Sequence, residues 1–259
     1  MCIIIYKPAG KDLPIENYLE TAYKNNGDGV GYMLRIDGRV YIKKGMMELD
    51  EFKTEMEALR QRYTLRDIDV VLHFRVRTTG AITQGNCHPF PLSSDVEALR
   101  MLDGYVDTAI AHNGILPLRD EGDASLSDTM VLVRKLAGLS MEDVKKQLSK
   151  EIKSHGGCFA LMSGSETLTY GRFITDGGIQ YSNSSYYDPP KRIYEPYYYY
   201  PQRTRQTPIV RWNDRKKVKC CQCGRRFYWF EDTEFLDLGN GEVMCRECLG
   251  EYREAEYEF

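Results

Sequence analysis

The sequence predicts an α+β sandwich, because β-rich runs come in pairs separated by pairs of helices, whereas a parallel sheet alternates strand and helix one by one. Three observations carry this reading: a short apolar run at residues 2–6 (CIIIY), a two-residue hairpin signal at Asp37-Gly38, and a second strand pair at residues 158–171 that follows two amphipathic segments. With 259 residues and 42% hydrophobic side chains the chain can bury a core, and its length allows one large domain beside a small one.

The elements follow in order. CIIIY suits a buried strand, and IENYLETAYKNN (15–26) has helical spacing before a glycine-rich stop. In GVGYMLRIDGRVYIKKG (29–45) two β-rich runs flank Asp37-Gly38, which predicts a tight hairpin. A charged amphipathic helix is expected near 49–62, strands at 68–76 (IDVVLHFRV) and 107–114 (DTAIAHNG), and two helices within 127–154. CFALMSGSETLTYG (158–171) reads as a second hairpin closing the unit. The domain runs over residues 1–185 in this reading.

Composition then changes. Residues 186–219 hold five prolines, seven tyrosines and nine basic against three acidic side chains, so a basic, partly extended linker is expected there. Residues 220–259 carry ten acidic and four basic side chains. Nowhere do about 18 apolar residues run together, and the opening MCIIIYKPAGKDLP lacks the basic region of a signal peptide. Neither membrane spanning nor secretion is therefore expected. Five of the eight cysteines lie in the last forty residues, which in a reducing compartment points to a metal site; a cytoplasmic address is the expectation.

Chemistry begins at Met1-Cys2. Removal of the initiator Met would leave a thiol and a free α-amine on one residue, a complete nucleophile and base. Taken alone, a cysteine leading a buried strand is a small core residue. Three downstream clusters change that reading. HFRVRTTG (73–80) ends a strand with arginines, threonines and a glycine, AHNG (111–114) ends another with Asn and Gly, and SDT (127–129) opens a helix. Arginine grips carboxylates, an Asn amide beside a backbone N–H makes an oxyanion hole, and Asp pairs with an ammonium. Together these describe a site for an amino acid. His73, His112, Cys87 and Cys158 read as structural.

With NCHPF (86–90), these motifs, in this order and spacing, resemble those of the class II glutamine amidotransferases, N-terminal nucleophile hydrolases, over residues 2 to about 180. The resemblance implies a four-layer αββα sandwich in which Cys2 forms a glutamyl thioester with its own α-amine as base. It implies an oxyanion hole of Asn113 and the Gly114 N–H, binding of the glutamine α-carboxylate by Arg75 with Thr78 beside it, and of the α-ammonium by Asp128. Asp28-Gly29 resembles the segment lining the site after the first helix. Many members begin Cys-Gly-Ile where Ile3 follows here, and their frequent His after the Arg-x-x-Thr pattern is Thr79.

Cys220-x-x-Cys223 and Cys245-x-x-Cys248, separated by 21 residues, form two C-x2-C pairs. Four thiolates so spaced predict a structural zinc site, similar to a zinc ribbon or treble clef. A module of forty residues lacks core enough to fold alone, so the metal would act as a staple. The tail's acidity and the sequence pI of about 5.9 favour protein docking over nucleic acid for it. No synthase domain fits in the remaining residues. The expected activity is thus release of ammonia from glutamine to a separate acceptor docking through the zinc module. The alternatives are a stand-alone N-terminal cysteine amidohydrolase acting on another linear or γ-glutamyl amide, and a non-catalytic binding protein that uses the fold.

Overall fold

The computed structural model describes residues 2–77, 82–188, 217–221, 223–224, 226–228, 236–237 and 243–244. The chain divides into two units, Met1–Arg192 and Ile193–Phe259.

In the first unit β1 (Ile3–Lys7) is followed by α1 (Glu16–Asn25), the hairpin β2 (Val30–Ile36) and β3 (Arg39–Met46), α2 (Leu49–Arg62) and β4 (Val70–Phe74). Next come β5 (Phe90–Pro91), α3 (Val96–Arg100), β6 (Asp103–Val106) and β7 (Thr108–Asn113). The unit ends with α4 (Asp128–Leu136), α5 (Met141–His155), the hairpin β8 (Cys158–Ser163) and β9 (Thr167–Gly171), then β10 (Ile174–Asp176) and β11 (Ile179–Tyr181). One antiparallel sheet has the order β10-β11-β1-β4-β2-β3-β6 and a second the order β5-β7-β8-β9.

Side-chain alternation stacks these sheets. Ile3, Ile5, Leu34, Val70, Leu72 and Phe74 point to one face and pack with Leu19, Phe52, Met56 and Leu59 of α1 and α2. Their alternates Ile4, Met33, Val40, Ile42 and Val71 meet Ala109, Ala111, Ala160 and Met162 of the second sheet. Ile110, Phe159 and Leu161 face outward onto Met130, Val133, Val144 and Leu148 of α4 and α5. The layers are therefore helix, sheet, sheet, helix, as the family resemblance implies.

The predicted elements appear where expected, with strand 68–76 shortened to Val70–Phe74. The hairpin turns at Asp37-Gly38, with Asp37 in the left-handed region (φ 49°) and Ile36 paired to Arg39. Strands β5, β6, β10 and β11 and helix α3 were not anticipated. Tyr186, at the start of the stretch read as linker, is buried and stacks on Tyr181 at 3.7 Å.

In the second unit β12 (Lys217–Lys219) pairs with β13 (Arg226–Tyr228), and β14 (Leu236–Asp237) with β15 (Val243–Met244), both antiparallel. Between β12 and β13 a turn is closed by Gly224 N–H donating to Cys220 O at 3.0 Å, with Cys220 buried and Cys223 exposed. That turn holds the Cys220-x-x-Cys223 pair at a strand end. Cys245 and Cys248 lie outside the described residues, and among the described ones no three metal-ligating side chains are grouped.

Candidate active site

The register of β1 against β4 builds the site. Ile3 lies opposite Phe74, so Cys2, just before β1, falls beside the residues that follow β4. Cys2 Sγ accepts from Val76 N–H and donates to Val76 O, each at 3.3 Å. Burial pushes the Cys2 thiol above its ordinary value, against the hydrogen bond from Val76 and the charges of Arg75 and the chain N-terminus. A thiol shifted in this direction needs a base before it can attack.

Arg75 follows β4 and is 3% exposed. Its backbone is gripped by the segment preceding β2: Arg75 N–H donates to Gly29 O and Asp28 N–H donates to Arg75 O, both at 2.9 Å. Asp28 Oδ2 also accepts from Arg77 N–H at 2.8 Å. Gly29 has φ +120°, and a Cβ there would stand 2.4 Å from Cys87 Sγ, so the position requires glycine. Arg77 is exposed.

Asp128 opens α4. Ser127 caps that helix, its side chain accepting from Met130 N–H, and so fixes where the carboxylate sits. Asp128 Oδ2 accepts from Leu116 N–H at 2.8 Å and Oδ1 from Thr129 N–H at 2.7 Å. Asn113 ends β7, where its Nδ2 donates to Ser182 Oγ at 2.8 Å. Its Oδ1 is buried and has no hydrogen-bond partner among the described residues.

These segments converge. A cavity of about 20 Å³ is lined by Cys2, Arg75, Val76, His88, His112, Gly114, Ser127, Asp128 and Thr129. That volume has room for about one water molecule. Four of the sequence-predicted site residues, Cys2, Arg75, Gly114 and Asp128, thus share one cavity. Asn113 adjoins it through Gly114, while Gly29 is not among the lining residues and reaches it only through its hydrogen bond to the Arg75 backbone. Thr78 lies outside the described residues.

The sequence reading assigned His73 and His112 as structural and passed over His88. His112 lines the cavity; its Nδ1 faces Thr129 Oγ1 at 3.0 Å, while Nε2 has no partner among the described residues. A side chain on Gly114 would meet that Nε2 at 2.7 Å, so residue 114 is held to glycine. His88, in NCHPF, has neither ring nitrogen partnered among the described residues and lies 4.1 Å from His73, centroid to centroid. His73 Nε2 faces His112 O at 3.0 Å behind the cavity. The His-Pro pair at 88–89 was the signal available for His88. Chemically, the cavity is lined by a thiol, a guanidinium, a carboxylate and two imidazoles.

Compared with protein-family models and with curated proteins, the sequence matches none. Solved structures to which the chain shows similarity include a glutamine phosphoribosylpyrophosphate (PRPP) amidotransferase from B. subtilis complexed with ADP and GMP, at 16% identity and TM-score 0.42. Another is described as the allosteric regulatory enzyme of purine biosynthesis, at 17% identity and TM-score 0.42. Each match covers 72% of this chain and 42% of the other, so the chain spans about two-fifths of the length of these structures. No helix among the described residues is long and apolar enough to cross a membrane.

Proposed function

We propose that the first unit is an N-terminal cysteine amidase of the class II glutamine amidotransferase kind, which hydrolyses the glutamine side-chain amide and releases ammonia. The observation that carries this reading is the single cavity lined by Cys2, Arg75, Gly114 and Asp128, drawn from four separated segments. A thiol flanked by a buried cation and a buried carboxylate suits a zwitterion whose amide lies between its charged ends and the nucleophile.

With Met1 removed, the Cys2 α-amine takes the thiol proton and Sγ attacks the carboxamide carbon. The carbonyl π pair moves to oxygen, where the Gly114 N–H and the Asn113 amide receive it. Collapse breaks the C–N bond, the protonated amine returns its proton to the leaving nitrogen, and ammonia departs. Water then attacks the thioester carbon, giving its proton to the amine, and breakage of the C–S bond yields glutamate and restores the thiol. Arg75 binds the α-carboxylate, with Thr78 beside it, and Asp128 binds the α-ammonium. A water-sized cavity has to widen before glutamine enters.

In the second unit Cys220, Cys223, Cys245 and Cys248 would hold zinc as a structural staple, and the ammonia acceptor would be a separate protein docking there.

The test is incubation of Met1-processed protein with a glutamine-mimicking diazo-ketone, followed by intact mass and peptide mapping. One adduct on Cys2, suppressed by excess glutamine and absent in Cys2→Ala, is expected. No adduct on fully processed wild type would overturn the reading.

A further inference from the structure

We infer that Ser182 is a positioning residue that holds the Asn113 amide in the orientation needed to receive an oxyanion. The inference rests on the amidase reading above and extends it to a segment that none of the recognised motifs includes. Strand β11 pairs with β1, Ile5 opposite Tyr181, and the two residues after β11 reach the reaction centre. Ser182 N–H donates to Ile4 O at 2.9 Å, continuing the ladder. Ile4 N–H, however, donates to Ser182 Oγ at 2.8 Å, so the side chain takes the acceptor place that a strand carbonyl would fill.

That substitution frees the backbone to turn. Asn183 then donates from Nδ2 to Cys2 O at 2.7 Å. Its Oδ1 accepts from Ser185 N–H at 3.0 Å, and Ser185 Oγ accepts from Asn26 Nδ2 at 2.9 Å, which fixes Asn183 from the far side. The nucleophile's own carbonyl is thereby anchored to residue 183.

Ser182 Oγ also accepts from Asn113 Nδ2 at 2.8 Å. One hydroxyl oxygen therefore ties the strand bearing the nucleophile, in the first sheet, to the end of β7 in the second. The geometry has a consequence for the amide. Nδ2 carries two hydrogens, and with one committed to Ser182 the other is left for a developing oxyanion. The buried Oδ1 has no partner among the described residues to oppose rotation. Without the Ser182 hydroxyl the amide can turn over and present Oδ1, whose negative end repels an oxyanion. Since the oxyanion forms only in the transition state, the effect falls on turnover and leaves ground-state binding alone.

The test is steady-state glutamine hydrolysis by full-length, Met1-processed protein. Ser182→Ala is expected to lower kcat about tenfold to a hundredfold with KM within twofold, and Ser182→Thr, which keeps the hydroxyl, to stay within about threefold of wild type. Adding Asn113→Ala to Ser182→Ala should cost less than Asn113→Ala alone, because the same donor is already misaligned. If Ser182→Ala does not fold, Ser182→Cys takes its place: its weakly accepting thiol should lower kcat while Ser182→Thr does not. Wild-type kcat in Ser182→Ala, or in Ser182→Cys where that replaces it, or additive losses with Asn113→Ala, would overturn the inference alone. A processed wild type that neither labels nor turns over glutamine would overturn the amidase reading and this inference with it.

Discussion

His73, His88 and His112 are each at least nine-tenths buried around the candidate cavity, and each is pushed towards its neutral form. For His73 burial does most of this, with the charges of Arg75 and His112 adding to it, and the pKa falls to about 3. His112 falls to about 4 through burial, opposed by Asp128. His88 lies well below its ordinary value through burial and the neighbouring His73, His112, Arg75 and Lys44. The sign follows from linkage. Below about pH 6.5 the unfolded chain binds protons on these rings that the folded chain refuses, so stability is present above that pH and is lost as pH falls. Each ring removes about a factor of ten from the folding constant per pH unit until its folded pKa is reached.

Two other groups act outside that window. Lys44, lowered to about 7 by burial, loses its stabilising neutrality between about pH 10.5 and 7. Asp69, whose burial is outweighed by hydrogen bonds from Ala9 N–H, Thr167 and Arg35, loses its contribution only below its ordinary value of 3.8. Urea midpoints measured from pH 7 to 5 are therefore expected to drop steeply for wild type and less steeply for His88→Gln. Equal slopes for the two proteins would remove His88 as a cause.

At the scale of the element, α4 shows how a local signal places a functional group. Ser127 caps the helix and the next residue, Asp128, sits where the helix dipole favours a carboxylate. Ser127→Ala is expected to lower unfolding free energy by about 1 kcal/mol and Ser127→Thr by less, read from urea denaturation. Equal loss in both variants would mean that the cap is not the source. This helix was legible because capping is chemistry between residues three apart. The hairpin at Asp37-Gly38 was legible for the same reason, since few residues adopt its turn. Strands β10 and β11, of three residues each, carry no readable period. Strand β11 exists because β1, far away in the sequence, has an edge to fill, and β10 because β11 then has one.

At the scale of the whole molecule, the two sheets pack through small side chains, Ala109, Ala111 and Ala160 on one sheet against Ile4, Met33 and Val71 on the other. This brings the ends of β1, β4 and β7 into one place. The zinc site proposed for the second unit calls for a separate test. Replacing Cys245 and Cys248 with Ser is expected to reduce zinc from one ion per chain to near zero while leaving Cys2 labelling by the diazo-ketone intact. Metal analysis beside peptide mapping separates the two, and unchanged zinc content would exclude these ligands.

What the sequence by itself determined is the kind of residue at each chemical position and the local element that carries it: Cys2 before a buried strand, Arg75 after one, Asn113-Gly114 at a strand end, and Asp128 behind a helix cap. Turns, caps and periodicity are set by neighbours a few residues apart and can be read one segment at a time. Only the tertiary structure decided that His88 and His112 share the cavity with Cys2, and that Ser182 and Asn183 reach Asn113 and the Cys2 carbonyl. The hydrogen bond from Asn183 to Cys2 spans 181 residues. Such a contact exists because sheet register and the stacking of two sheets bring strand ends together, and no local pattern encodes that.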